Sequence, residues 1–195
     1  MPFAFSGQAN GIRSSKVSCH EAIHPGQDGM TAAYSVDGWQ NLALAVTAAV
    51  ATLVGLLFVA VSINLQRILQ YANLPSRALQ TLFLFGTPLV TGIFLLVPAQ
   101  PRGVLAAELL GTALVIGLVQ LRMEIRAPRS DKETTLTWLS GRVSPPIVTS
   151  GCLAVAGATL AARAGGGLYW VVPSVLAGIF FGLLNAWVLL IEILR

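Results

Sequence analysis

Charged residues divide this chain into long apolar segments. No charged residue lies between Asp37 and Arg67, and residues 42–63 are apolar almost throughout. As a helix with 1.5 Å per residue, this segment is roughly 33 Å long, enough to cross a bilayer hydrocarbon core of about 30 Å. Four similar segments follow. The pattern therefore predicts membrane-spanning helices at residues 42–63, 79–97, 104–121, 146–162 and 169–191.

The apolar segments do not have the period of β-strands. They lack alternation of apolar and polar positions, and each is too long for a strand. A transmembrane barrel would need many alternating strands of about ten residues. The predicted fold class is all-α, an integral membrane bundle of about five transmembrane helices in residues 39–195. Residues 1–38 are expected to form a disordered N-terminal segment that is no signal peptide, with Met30 as an alternative start.

The composition agrees with a membrane environment. Of the 195 residues, 55% are hydrophobic and only 10% are charged, whereas a soluble domain has about 25% charged residues. The net charge of +4 could suggest nucleic acid, but the basic residues lie at the ends of apolar segments, where they orient membrane helices. Membrane lipid is therefore the expected partner, and nucleic acid is not.

Basic residues are unevenly distributed between the two predicted sides of the membrane. The larger group consists of Arg67, Arg77, Arg122, Arg126, Arg129, Lys132, Arg142 and Arg195. The smaller group consists of Arg13, Lys16, Arg102 and Arg163. Because the more basic side faces the cytoplasm, the sequence predicts a multi-pass plasma-membrane protein with its N-terminus outside and its C-terminus inside.

Few polar residues lie inside the predicted spans. Glu108 is the one acidic residue within them, and acids in a bilayer are functional candidates because their burial is costly. It lies close to the outer end of its span, so it could also reach the interface or meet Arg102. Thr112 and Asn185 are the other candidate lining residues of a polar path.

Small residues recur at helical spacing in the first and fifth spans. Ala48, Ala51 and Gly55 form one stripe, and Gly178 and Gly182 form a GxxxG motif in the other. Such stripes let two helices approach closely. They could pack inside one bundle or form the interface of a homo-oligomer.

Catalytic and ligand-binding motifs are absent from the sequence. It contains no phosphate-binding glycine loop, no G-x-S-x-G elbow and no H-E-x-x-H. No histidine lies in any span, and Cys19, His20 and His24 in the N-terminal segment are too few to predict a metal site. We therefore expect neither enzymatic activity nor a bound cofactor or metal.

The stretch GLLFVAVSINLQRIL, Gly55 to Leu69, ends an apolar run with a hydroxyl, an amide and a charge. This order is typical of a cytoplasmic span end, where Arg67 can extend to the headgroups. Asn64 and Arg67 could instead form a polar gate or docking point. The candidate cytoplasmic contacts are Asn64, Arg67, Arg77, Arg122, Arg126 and Arg129.

That stretch, followed by LPSRALQTLFLF, resembles an uncharacterised family of small actinobacterial polytopic membrane proteins. The likeness runs from about Trp39 to the C-terminus. Some members carry the transferred label "modulator of FtsH protease". The resemblance implies a membrane protein with a regulatory partner, and it supplies no catalytic residue.

Three hypotheses about function follow. The first is a non-enzymatic accessory or regulatory protein that acts through helix contacts and through its basic loop, residues 122–142, on a protein partner or anionic lipid. The alternative is a homo-oligomeric ion channel or small-solute permease that uses Glu108, Thr112 and Asn185. A membrane enzyme acting on lipid is the third and has the fewest residues to support it.

Overall fold

The computed structural model describes residues 33–36, 38–70, 74–126 and 144–194, with side chains up to residue 192. Within these ranges the chain is helical and contains no strand. The helices are α1 (Gln40–Ile63), α2 (Leu65–Gln70), α3 (Leu74–Leu96), α4 (Arg102–Arg126), α5 (Ser144–Ala162), a 3₁₀ helix (Gly167–Trp170) and α6 (Val171–Leu194).

Five helices of the described residues are long and apolar enough to cross a membrane: α1, α3, α4, α5, and α6 with the preceding 3₁₀ helix. The predicted all-α bundle is therefore confirmed, and the chain has the architecture of a multi-pass membrane protein. Helices α3 and α4 extend beyond the apolar segments that predicted them, to Leu74 and Arg126. They do so because a helix can continue past the hydrocarbon core and place long polar side chains at its end.

Two tight turns connect neighbouring spans. Between α3 and α4, Ala99 has a positive φ of 54°, and the amides of Val104 and Leu105 both donate to the carbonyl of Pro101. Between α5 and α6, Gly165 and Gly166 have φ values of 85° and 103°. That left-handed conformation is cheap only for glycine, which explains the glycine run at this turn.

Helix α3 lies at the centre of the bundle. It contacts the four other long helices, while the closest-packed pair is α4 with α5. Helix α1 packs on α3 and barely touches α6. Only Ala43, Val50 and Leu57 of α1 are buried, so α1 is a peripheral helix attached to a four-helix core.

The two ends of the bundle can be told apart by their contacts. The amide of Leu168 donates to the carbonyl of Ala33 at 2.9 Å, and Gly92 of α3 lies against Ala43 of α1. The beginnings of α1, α4 and α6 therefore share one end with the last turns of α3 and α5, here called the Arg102 end. The opposite end, where α3 and α5 begin, is called the Arg77 end.

Aromatic side chains gather at the Arg102 end. The rings of Trp39 and Tyr169 meet edge to face at 5.1 Å. The indole nitrogen of Trp170 donates to the carbonyl of Gly165 at 2.9 Å, and the hydroxyl of Tyr34 accepts a bond from the amide of Gly166. Such amphipathic rings are typical of the boundary between membrane and water.

Candidate functional site

The polar residues that the sequence predicted inside the spans do not form one site. Glu108 is half-buried near the start of α4, and its Oε2 accepts a hydrogen bond from Nε2 of Gln100. The hydroxyl of Thr112 donates to the carbonyl of Glu108 at 2.7 Å. The hydroxyl of Thr112 is therefore satisfied within its own helix.

Asn185 lies at a different depth from Glu108. Helices α4 and α6 both begin at the Arg102 end, and Asn185 is eight residues further along its helix than Glu108 is along α4. At 1.5 Å per residue the two side chains are offset by roughly 12 Å along the bundle.

A buried polar pair lies instead at the Arg77 end, between α3 and α4. Gln80 of α3 donates through Nε2 to Oε1 of Glu124. Glu124 is 4% exposed, although it follows the span predicted at residues 104–121. Sequence reasoning missed this pair; the one available signal was that Gln120 and Glu124, four residues apart, are polar residues on one face of a helix.

Gln120 is the most unusual member of this polar region. It is fully buried, and neither its amide oxygen nor its amide nitrogen has a hydrogen-bond partner in the described part of the chain. The hydroxyl of Ser150 on α5 is also buried without a partner there. Each buried polar group without a partner lowers the free energy of unfolding by about 1–3 kcal/mol. These groups therefore reduce the stability of this part of the core.

Four further buried hydroxyls are satisfied by backbone carbonyls, whereas that of Thr91 has no partner in the described residues. Thr81, Thr87 and Thr149 donate to the carbonyls four residues earlier in their own helices. Ser174 of α6 donates to the carbonyl of Thr149 at 2.7 Å, which joins α5 and α6. The Ser174 bond joins two helices, whereas the three threonine bonds lie within single helices.

The two predicted stripes of small residues have different surroundings. A Cβ built on Gly178 would lie 3.1 Å from the carbonyl oxygen of Leu84, and one built on Gly182 would meet the ring of Phe85. The α6 stripe therefore packs against α3. By contrast, Ala48, Ala51 and Gly55 are exposed on α1.

Most of the predicted basic contacts lie at the Arg77 end. Arg67, Arg122 and Arg126 are exposed, and Nη1 of Arg77 lies 3.1 Å from Oε1 of Glu192 on α6. The amide nitrogen of Asn64 donates to the carbonyl of Ala60. Arg129 falls outside the described residues, as does most of the loop of residues 122–142 and the segment that holds Cys19, His20 and His24.

An apolar groove runs between α1 and α6 on the side of the bundle. Its volume is about 290 Å³, and Phe85 of α3 forms part of its wall. Across residues 33–36, 38–70, 74–126 and 144–194, no group of three or more His, Cys, Asp or Glu side chains could hold a metal ion.

Comparison with known proteins identifies no relative of this chain. No family model, no curated protein and no solved structure matches the chain. The fold and the described surfaces define a multi-pass α-helical membrane protein, and any function must be argued from those surfaces.

Proposed function

We propose that the protein is a non-enzymatic accessory or regulatory membrane protein, and that α1 is the helix through which it binds a transmembrane partner. The observation that carries this proposal is the position of α1. It crosses the membrane at the periphery, held by α3, and leaves most of its own surface outside the bundle.

The outer face of α1 has the composition that a docking helix needs. Ala48, Ala51 and Gly55 lie on one face because they are three and four residues apart. All three are exposed, and a Cβ built on Gly55 would have nothing within 4 Å. The hydroxyl of Thr52 on this side donates to the carbonyl of Ala48. A second helix could approach this face closely, since small residues let backbones pack together in a bilayer.

The basic side of the protein supports a second contact. Arg67, Arg122 and Arg126 are exposed at the Arg77 end, and the positive-inside rule assigns that end to the cytoplasm of a plasma-membrane protein. We propose that this end binds the cytoplasmic part of the same partner. The N-terminus would then be outside and the C-terminus inside.

Native mass spectrometry of the protein, purified mildly from its own membranes, tests the role of α1. The variant Gly55→Leu blocks the outer face of α1. Gly111→Leu is its matched control, because Gly111 is also an exposed glycine with nothing within 4 Å of a Cβ. The wild type and Gly111→Leu should retain a second protein that Gly55→Leu loses.

Three other outcomes would contradict the proposal. A bare monomer in all three samples would leave α1 without a protein partner. A complex that survives Gly55→Leu would place the contact elsewhere. A homo-oligomer that contains no other protein would favour the channel or permease alternative, and ion or solute flux into liposomes would then be the next measurement.

A further inference from the structure

Helix α1 is attached to the bundle along one narrow line of contact. Its buried residues, Ala43, Val50 and Leu57, are seven positions apart from one to the next, which is almost two helical turns. They therefore lie along one side of the helix. The neighbour on that side is α3, and α1 makes few contacts with α6. A helix held along one line can roll about its own axis unless side chains interlock at the contact.

Thr47 of α1 and Gly92 of α3 interlock beside this line. A Cβ built on Gly92 would overlap Oγ1 of Thr47 and would lie 3.3 Å from the carbonyl oxygen of Ala43. Gly92 is buried, so the missing side chain leaves a notch on α3 that the Thr47 side chain fills. The other glycine of α3, Gly86, makes no such contact, since a Cβ there would have nothing within 4 Å.

The hydroxyl of Thr47 differs from most threonine hydroxyls of the long helices. Oγ1 of Thr47 is buried and has no hydrogen-bond partner in the described part of the chain. Six others donate to the carbonyl four residues earlier in their own helix: Thr52, Thr81, Thr87, Thr112, Thr149 and Thr159. The Thr47 side chain therefore contributes its shape, and no hydrogen bond, to the contact with Gly92.

One ridge of α1 carries both the Gly92 contact and the outer face. Ala43, Thr47, Ala51 and Gly55 follow one another at intervals of four residues, and such positions form a continuous ridge that winds slowly around a helix. The ridge starts against Gly92 at Ala43 and Thr47 and reaches the exposed side at Ala51 and Gly55. The position of Thr47 on α3 therefore sets the direction in which Ala51 and Gly55 point.

We propose that Gly92 is a positioning residue for the partner contact of α1. Its notch holds Thr47 and keeps α1 in the rotation that presents Ala51 and Gly55 to the partner helix. This inference rests on the proposed function, because it assigns the residue that controls that same contact. Filling the notch weakens the partner contact although no residue of the outer face is changed.

Electron paramagnetic resonance tests the position of α1 without the partner. The full chain, with Cys19 and Cys152 replaced by serine, is placed in nanodiscs with spin labels at Ala51→Cys and Gly111→Cys. Both label positions are exposed, one on α1 and one on α4. Because α4 is not the helix on which α1 packs, the distance between the labels reports movement of α1 against the core.

The distance between the labels should shift in Gly92→Ala and stay unchanged in Gly86→Ala, the matched control. Adding Thr47→Ala to Gly92→Ala should restore the original distance, because it removes the oxygen that the new Cβ meets. Thr47→Leu, which enlarges the other side of the contact, should shift the distance on its own. Equal distances in all variants, or a shift in Gly92→Ala that Thr47→Ala does not reverse, would overturn the proposal.

Native mass spectrometry of protein purified mildly from its own membranes connects this position to the partner. Gly92→Ala should lose the second protein that the wild type and Gly86→Ala retain, and Thr47→Ala in the same chain should restore it. If Gly92→Ala shifts the label distance yet keeps the second protein, the positioning role is wrong and the proposed function stands. If the wild type itself retains no second protein, the proposed function fails, and the positioning role fails with it.

Discussion

Gly157 of α5 lies so close to Leu110 of α4 that no side chain fits between them. A Cβ built on Gly157 would be 2.7 Å from Cγ of Leu110 and 3.1 Å from its amide nitrogen. The carbonyl oxygen of Ala106 would be 3.0 Å away. Because backbone atoms cannot move aside as a flexible side chain can, this contact fixes the spacing of the closest-packed helix pair in the bundle.

The substitution Gly157→Ala should therefore destabilise the protein. We expect its free energy of unfolding to fall by about 1–3 kcal/mol, as for other overpacked cores. Titration with SDS in mixed micelles, followed by circular dichroism, measures the change. Gly151→Ala in the same helix is the control, since a Cβ there has open space, and it should be neutral or slightly stabilising. Equal losses for the two variants would show that the close contact does not determine stability.

Replacement of Gln120 by leucine should stabilise the protein. The substitution removes two buried polar atoms that have no partner in the described part of the chain, and leucine is similar in size. We expect the free energy of unfolding to rise by about 1–3 kcal/mol in the same SDS titration. A clear loss of stability would mean that the amide of Gln120 makes favourable interactions in the membrane.

The substitution Gln80→Leu should lower the free energy of unfolding, in contrast to Gln120→Leu. It removes the donor to Oε1 of Glu124, a carboxylate that is only 4% exposed. Loss of a donor to a buried carboxylate costs about 1–3 kcal/mol or more. Gln70→Leu on the exposed side of α2 serves as the comparison for a simple change of glutamine to leucine. If both variants were equally stable, the Gln80–Glu124 bond would contribute nothing.

The ion pair between Arg77 and Glu192 should contribute little to stability. The two side chains are 26% and 40% exposed, so water and salt screen their attraction, and exposed pairs are worth about 0–1 kcal/mol. A double-mutant cycle with Arg77→Gln and Glu192→Gln should give a coupling energy in this range that decreases with added salt. A salt-independent coupling of several kcal/mol would indicate that the pair is shielded from water.

The orientation in the membrane can be measured on the whole chain. Reporter fusions at the C-terminus should give green fluorescent protein fluorescence and no alkaline phosphatase activity, because the positive-inside rule places that end in the cytoplasm. The same reporters fused after Ala99, in the turn between α3 and α4, should give the reverse result. Alkaline phosphatase activity at the C-terminus would invert the proposed topology.

The number and type of the long helices could be predicted from the sequence because a bilayer requires long uninterrupted apolar segments. The turn at Ala99 and the one at Gly165 could be located for a similar reason, since proline and glycine runs interrupt those segments. Helices α3 and α4 extend beyond the predicted spans, to Leu74 and to Arg126. Hydropathy marks where the apolar segment stops, whereas a helix continues until its backbone loses hydrogen-bond partners.

Only the tertiary structure decided which faces of the helices meet. The stripes at Gly55 and at Gly178 look alike in the sequence, yet one faces outward and the other packs against α3. The hydrogen bond from Gln80 to Glu124 likewise joins two residues that are distant in the chain. The sequence by itself determined five membrane-spanning helices, because that property follows from local composition. Rotation of each helix about its axis follows from contacts between distant residues, and those contacts created the groove and the buried polar pair.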